Sequence, residues 1–117
     1  MSHQIPSDFF FPIGTDFYVR VYIRSVVDKN AVTGVTVAGQ LYDFDGSTVG
    51  GSITGTEISN GYYSVVVPDT ASLVAGEEFT LRITATKTTN KATFDLTGKA
   101  LYSVFEEKLT IEILLNQ

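Results

Sequence analysis

The chain of 117 residues contains no cysteine, no tryptophan, three prolines and a single histidine. Without cysteine it has neither a disulfide framework nor a thiolate metal site. The one histidine, His3, lies in the N-terminal segment, which excludes a catalytic triad built on a histidine inside the fold. No glycine-rich phosphate loop precedes a helical pattern. These absences predict a protein that is not an enzyme and that binds no cofactor or metal.

Basic residues and long apolar runs are also scarce. Eight Lys and Arg residues oppose 13 Asp and Glu residues, giving a net charge of −5, and the basic residues are scattered singly. Nucleic acids and anionic membranes are bound by clustered positive charge, so neither partner is expected. No apolar stretch approaches the roughly 18 residues of a membrane span. The first six residues lack the basic and apolar regions of a secretory signal, so we expect use without export.

The stretch from Asn60 to Pro68 gives the clearest local signal. Asn60-Gly61 supplies the positive φ angles of a tight two-residue turn, and Pro68 cannot donate to a strand ladder. Between them lie β-branched and aromatic residues typical of strands. One face of the predicted strand is apolar and should be buried: Tyr63, Val65 and Val67.

Residues 16–24 show strict alternation, which predicts a half-buried strand. The inward face is apolar: Phe17, Val19, Val21 and Ile23. The outward face alternates tyrosine and arginine: Tyr18, Arg20, Tyr22 and Arg24. Such a face can be a solvated surface stabilised by cross-strand and cation–π pairs. It can also be a binding face, because Tyr and Arg are enriched among interface hot spots.

Further strands are predicted over 35–43, 48–59, 77–87, 92–97 and 109–113, with one short helical turn over 69–76. The predicted fold class is therefore all-β, an antiparallel β-sandwich of about seven strands, Ig-like or transthyretin-like, with residues 16–117 as one domain. The turn Asp43–Ser47 begins like a calcium loop. However, Thr54 stands where a bidentate Glu is needed, so a plain hairpin turn is favoured.

Residues 1–15 are predicted to form an extended arm rather than a strand, because two prolines and a glycine interrupt it. Its phenylalanines would either plug the core of the same chain or dock on another subunit, and both alternatives stay open. The apolar C-terminus is expected to be covered as well. The candidate partner-binding residues are Phe9, Phe10, Phe11, Ile13, Tyr18, Arg20, Tyr22, Arg24, Leu114 and Leu115.

Several segments resemble a known group of domains: Val35-Thr36-Val37, Leu41-Tyr42-Asp43, the Asn60–Pro68 stretch and Gly76–Leu81. They are similar to transthyretin-like or carboxypeptidase-regulatory-like sandwiches, and to small Ig-like modules of tailed-phage virion proteins. One enzymatic branch, which hydrolyses 5-hydroxyisourate, uses several histidines and a C-terminal Tyr-Arg-Gly-Ser. This chain ends Leu-Leu-Asn-Gln and has one histidine, so that activity is not expected.

The resemblance implies a virion structural protein that decorates or cements the capsid, or sits at the head–tail junction. Its partners would be major capsid or head–tail proteins, it would form a homo-oligomer, and its location would be the virion after synthesis in the host cytoplasm. One alternative is a carbohydrate-binding or adhesin-type module with stacking platforms at Tyr18, Tyr22, Tyr42 or Tyr62. Another is a small regulatory domain beside a catalytic chain.

Overall fold

The computed structural model describes residues 10–103 and 107–116, which form nine β-strands and no helix. Among these residues no helix has the length and apolar character needed to cross a membrane. The strands are β1 (Phe10–Ile13), β2 (Phe17–Ser25), β3 (Thr36–Tyr42), β4 (Thr48–Thr54), β5 (Thr56–Ser59), β6 (Tyr62–Val67), β7 (Glu78–Lys87), β8 (Asn90–Tyr102) and β9 (Glu107–Leu115). The all-β prediction is confirmed.

Two sheets share one core in a sandwich-like arrangement. The five-stranded sheet has the order β1-β8-β7-β3-β4, and the four-stranded sheet has the order β5-β6-β2-β9. Neighbouring strands are antiparallel except in two pairs: β1 runs parallel to β8, and β2 runs parallel to β9. The prediction of a purely antiparallel fold is wrong for these pairs. Each joins an N-terminal strand to a C-terminal one, a pairing that local sequence patterns do not reveal.

Alternating apolar residues from both sheets fill the core. The four predicted inward residues of β2 are at most 1% exposed, and the inward residues of β7 are at most 2% exposed. Each such side chain contributes roughly 1.5–3 kcal/mol on burial. The predicted inner faces are therefore confirmed, including those of β6 and β9: Tyr63, Val65, Val67, Ile111 and Ile113.

Tyr63 connects this core to the loop between β2 and β3. Its ring is buried, its hydroxyl donates to the carbonyl oxygen of Val32 at 3.0 Å, and the backbone N–H of Val35 donates to it at 3.0 Å. The two bonds satisfy backbone groups that would otherwise be buried without a partner. Burial raises the pKa of Tyr63 above its ordinary value of 10.0.

The Asn60-Gly61 turn joins β5 to β6 as the sequence predicts. Both residues have positive φ, 47° for Asn60 and 86° for Gly61, which is the signature of a type I′ hairpin turn. Ser59 and Tyr62 face each other across the turn, which fixes the register of β6. Since a slip of one residue would reverse the faces of β6, this turn determines which β6 residues enter the core.

The single strand predicted over 48–59 is instead two strands, because the chain leaves one sheet and enters the other at Gly55. The Gly55 N–H donates to the carbonyl oxygen of Val37 at 2.7 Å. A Cβ at position 55 would lie 2.7 Å from that oxygen and 2.9 Å from the Cβ of Val37. Only glycine permits this close approach, so the crossing raises the strand count above the predicted seven.

The predicted N-terminal arm is wrong for residues 10–13, which form β1 at the edge of the five-stranded sheet. Phe11 is fully buried and its ring meets that of Phe17 edge-on at 5.6 Å. Pro12 is compatible with a strand here because an edge strand has one side without ladder partners. Residues 1–9, including the predicted anchor Phe9, lie outside the described residues.

The predicted helical turn over 69–76 is also wrong, since these residues form turns and bends. Two backbone N–H groups of this segment bond to other parts of the chain. The Asp69 N–H donates to Oδ1 of Asp16 at 2.8 Å, and the Gly76 N–H donates to the carbonyl oxygen of Ala100 at 2.7 Å. These tertiary bonds outweigh the weak helical preference of a segment this short.

Replacing Gly55 with alanine should destabilise the fold by about 1–3 kcal/mol, because the new methyl group forces the β4–β5 crossing away from Val37. The matched control is Gly51→Ala on β4, where nothing lies within 4 Å of the added Cβ. It should stay within about 0.5 kcal/mol of the wild type. Urea denaturation measures both, and equal midpoints for the two variants would contradict the crossing geometry.

Replacing Tyr63 with phenylalanine should cost about 1–3 kcal/mol, because Val35 N–H and the Val32 carbonyl lose their buried partner. The folded phenol holds its proton more tightly than the unfolded one, so its contribution is complete below pH 10 and is lost as pH rises through the higher folded value. Denaturation followed from pH 8 upward should therefore show a steeper alkaline loss for wild type than for Tyr63→Phe. Identical slopes would contradict the burial of this hydroxyl.

Candidate functional site

The outward side of β2 forms the centre of the exposed face of the four-stranded sheet, here called the outer face. β6 and β9 flank β2, so each outward residue of β2 has a neighbour on both sides. Arg20 stands between Ser64 and Thr110. Side chains directly opposite each other on a sheet are within about 5.5 Å at Cβ, close enough to interact. The outer face therefore consists of rows, each formed by one outward residue of β2 and its neighbours on β6 and β9.

The side chains in the row around Tyr22 contact one another within the chain. Tyr22 and Tyr62 stack with ring centroids 4.4 Å apart and planes 20° from parallel. The Arg24 guanidinium lies 5.7 Å from the Tyr22 ring centroid, and its Nε is 2.6 Å from Oε2 of Glu112. Stacking, cation–π contact and the ion pair stabilise one another here. Tyr22 and Arg24 thus match the surface interpretation of the alternating face.

The row around Arg20 is different, because it borders a hollow of about 410 Å³. Arg20 is exposed and makes no ion pair with any residue in the described ranges. Lys108 lies nearby on β9, with its Nζ 6.0 Å from the Tyr18 ring centroid. We call this region the basic hollow, defined by its polar and aromatic lining: Tyr18, Arg20, Ser64, Lys108 and Thr110.

Asp16, whose carboxylate contacts Tyr18 of the basic hollow, is already engaged. Asp16 accepts the Tyr18 hydroxyl through Oδ2 at 3.4 Å and the Asp69 N–H through Oδ1 at 2.8 Å. Two cations, two side-chain hydroxyls and an aromatic ring thus surround a concave surface on a chain whose net charge is −5. Such a surface can receive a carboxylate or another anionic group, with the guanidinium as a fork of donors.

On the exposed face of the five-stranded sheet the arginine is paired, whereas Lys91 and Lys99 of β8 are exposed and make no ion pair with any described residue. Arg82 donates to both carboxylate oxygens of Asp95, at 2.9 and 3.1 Å, and lies 5.3 Å from the Tyr42 ring centroid. Hydrogen bonding to Asp95, with its negative charge, raises the pKa of Arg82. Thr80 and Thr97 bond each other at 3.0 Å. This face is held together by its own cross-strand pairs.

In the Asp43–Ser47 turn, the aspartate carboxylates accept hydrogen bonds from backbone N–H groups of the turn itself. Oδ1 of Asp43 accepts the N–H of Asp45 and of Ser47, and Oδ1 of Asp45 also accepts the Ser47 N–H. The interaction with the neighbouring Asp43 side chain, together with hydrogen bonds donated by Ser47, holds the pKa of Asp45 below its usual range. Across the described ranges, no three His, Cys, Asp or Glu side chains gather in a metal-binding arrangement.

The remaining candidate partner-binding residues fall into two groups. Phe11 and Leu115 are core residues with 0% and 1% exposure, so they present no surface on this chain. Phe10 is half-buried in β1, Ile13 packs against the core, and Leu114 is half-buried on β9. The described part of the N-terminal segment therefore docks on its own chain. Whether residues 1–9 bind a second subunit stays a prediction.

The basic hollow contains three residues that sequence patterns did not single out: Ser64, Lys108 and Thr110. Their outward orientation follows from the alternation of β6 and β9, but their position beside Arg20 depends on which strands flank β2. The four tyrosines proposed as sugar platforms are mostly in contact with other groups of the chain: Tyr18 with Lys108, Tyr22 with Tyr62, and Tyr42 with Arg82. The carbohydrate alternative gains no support from this geometry.

Comparison with family models, with curated proteins and with solved structures finds no match to this chain. The resemblance to transthyretin-like and phage modules therefore stays a prediction that rests on the quoted residues. What the chain can do must be inferred from its own surface.

Proposed function

We propose that this protein is a non-enzymatic structural module that binds other protein subunits of a larger assembly through the basic hollow. The observation that supports this most is Arg20, an exposed arginine without an ion-pair partner in the described ranges, beside Lys108 and Tyr18. The other arginines of the two exposed faces are paired, Arg24 with Glu112 and Arg82 with Asp95. Arg20 is the one left to pair with a partner.

The partner's complementary surface would be acidic. Arginine and tyrosine are frequent interface anchors, and the hydroxyls of Ser64 and Thr110 supply further hydrogen bonds beside them. Because the chain as a whole carries a charge of −5, an acidic partner is repelled by most of the surface and attracted at the hollow. Electrostatic complementarity of this kind fixes orientation and speeds association more than it adds affinity.

We further propose that the assembly is a tailed-phage particle, with major capsid or head–tail proteins as partners and the virion as the location. The support is the resemblance of the quoted segments to Ig-like and transthyretin-like virion modules. Those segments belong to β3, β6 and β7, which are spread over both sheets of the two-layered fold. We also propose that the strands are connected as in Ig-like or transthyretin-like domains.

A short poly-glutamate peptide tests the basic hollow directly. Titration into the isotope-labelled protein should shift the amide signals of Tyr18, Arg20 and Thr110, and added salt should weaken the effect. Arg20→Gln should lower the affinity by about tenfold to a hundredfold, since a hydrogen bond to a charged group contributes about 1.5–3 kcal/mol. The matched control Arg82→Gln removes an arginine from the other face and should leave the affinity unchanged.

The binding proposal fails if the signals of the Arg82 face shift instead, or if Arg20→Gln binds the peptide as tightly as the wild type. Circular dichroism and thermal melting of both variants separate a binding defect from misfolding.

The place in a particle is tested with virions of a phage whose genome encodes this chain. Quantitative mass spectrometry should find the protein in a fixed ratio to the major capsid protein. Arg20→Gln should dissociate from particles at lower salt than Arg82→Gln, because it lacks the proposed contact. Complete, infectious particles without the protein would contradict the structural role.

A further inference from the structure

The four-stranded sheet ends at β9, whose only neighbour among the described strands is β2. The carbonyl oxygen of Leu115 accepts the Val26 N–H at 2.9 Å, so the polar backbone groups of Leu115 point toward the β2 side. Along a strand these groups alternate in direction together with the side chains. The N–H and C=O groups of Lys108, Thr110 and Glu112 therefore point away from β2, toward an open edge.

This edge is unlike the other three in the described sheets. β1 is four residues long and contains Pro12, and β5 is four residues long with a register shift between Glu57 and Ser59. β4 faces a register shift of β3 between Gly39 and Leu41. β9 has nine residues, contains neither proline nor glycine, and pairs with β2 without a break. Short length, proline and irregular register are among the devices that block strand addition, and β9 has none of these three; its edge carries charges of both signs instead, Lys108 and Glu112.

We propose that a second copy of this chain pairs with the β9 edge, antiparallel and about a two-fold axis through Thr110. In that register Lys108 lies opposite Glu112 of the second copy, and Glu112 lies opposite Lys108 of the second copy. The isologous symmetry of a dimer makes the two pairs equivalent, and both join opposite charges. The apolar residues Leu109 and Ile111 also face each other on the inner side.

Other registers lack this complementarity. An axis through Ile111 sets Lys108 against Leu114 and Thr110 against Glu112, and an axis through Leu109 sets Lys108 against Thr110. A shift by an odd number of residues would turn the apolar side of one β9 to the outer face, which the buried Ile111 and Ile113 exclude. Of the registers compared, the one about Thr110 sets both Lys108 and Glu112 opposite a residue of opposite charge on the second copy.

The same register satisfies the backbone. The facing pairs of Thr110 with Thr110, and of Lys108 with Glu112, are the residues whose N–H and C=O groups point to the open edge. About six backbone hydrogen bonds can form, because each such antiparallel pair exchanges two. Glu112 already binds Arg24 at 2.6 Å, and a carboxylate can accept a second cation through its other lone pairs.

The dimer would join both four-stranded sheets into one continuous sheet with the two basic hollows on the same face. This inference goes beyond the proposed function and does not rest on it, because the charges and backbone groups of β9 carry it alone. If the proposed function also holds, the dimer presents two acidic-partner sites side by side, and the linked contacts strengthen binding.

Light scattering and sedimentation of the full chain over a range of concentrations test the dimer. The wild type should be a reversible dimer. Lys108→Glu should raise the dissociation constant about tenfold or more, because two attractive pairs become two repulsive ones. Glu112→Lys should do the same. The matched control Lys91→Glu, on an exposed position of β8, should dimerise like the wild type.

Charge exchange makes the test specific to the register. The double variant Lys108→Glu with Glu112→Lys should dimerise again, and an equimolar mixture of the two single variants should form a heterodimer that is tighter than the dimer of either variant alone. Circular dichroism of each variant confirms that it folds. A wild type that stays monomeric, a Lys108→Glu variant that dimerises normally, or a mixture that stays monomeric would overturn the proposal.

Arg20→Gln separates this proposal from the proposed function, because Arg20 lies on β2 and takes no part in the β9 contact. It should weaken peptide binding and leave the dimer intact. A dimer without peptide binding would refute the proposed function alone, and peptide binding by a strict monomer would refute the dimer alone.

Discussion

The parallel pairing of β9 with β2 is the constraint on which the rest of the structure depends. It brings the C-terminal strand beside the N-terminal half of the chain in an unbroken register, with Thr110 opposite Arg20. This pairing buries Ile111 and Ile113 in the common core and sets Lys108 next to Tyr18. On the far side of β9 no other described strand is paired. The basic hollow and the edge are thus two consequences of one register.

The core that holds this pairing in place depends on a few close contacts between the layers. At Gly55 the chain passes from one sheet to the other against the Val37 carbonyl, and the hydroxyl of Tyr63 binds the loop that follows β2. Both contacts fix where β3 and β6 lie, and β6 flanks β2 on the side opposite β9. The outer face is therefore supported from the core, as the proposed binding at the basic hollow would require.

Much of the fold could be predicted because strand alternation and turn chemistry are local properties. The inward residues of β2, β6, β7 and β9 and the Asn60-Gly61 turn follow from neighbouring residues alone. The pairing of strands that are distant in sequence cannot be predicted from neighbouring residues. Local sequence does not show which strands flank β2, so it does not predict that Lys108 lies near Arg20. It also does not show that β1 is an edge strand, the position that accommodates Pro12. Exposure of Tyr and Arg was predictable, whereas their pairing within the chain, as for Arg24 with Glu112, was not.

The most direct test of this account is the set of cross-strand nuclear Overhauser effects between backbone protons of β2 and β9 in the isotope-labelled protein. The account predicts contacts that advance in the same direction along both strands, from Tyr18 beside Lys108 to Arg24 beside Leu114. Contacts that advance in opposite directions, or none between these strands, would contradict it. In either case the register that sets Lys108 beside Tyr18 and Thr110 beside Arg20 would be lost, and with it the basis of the basic hollow.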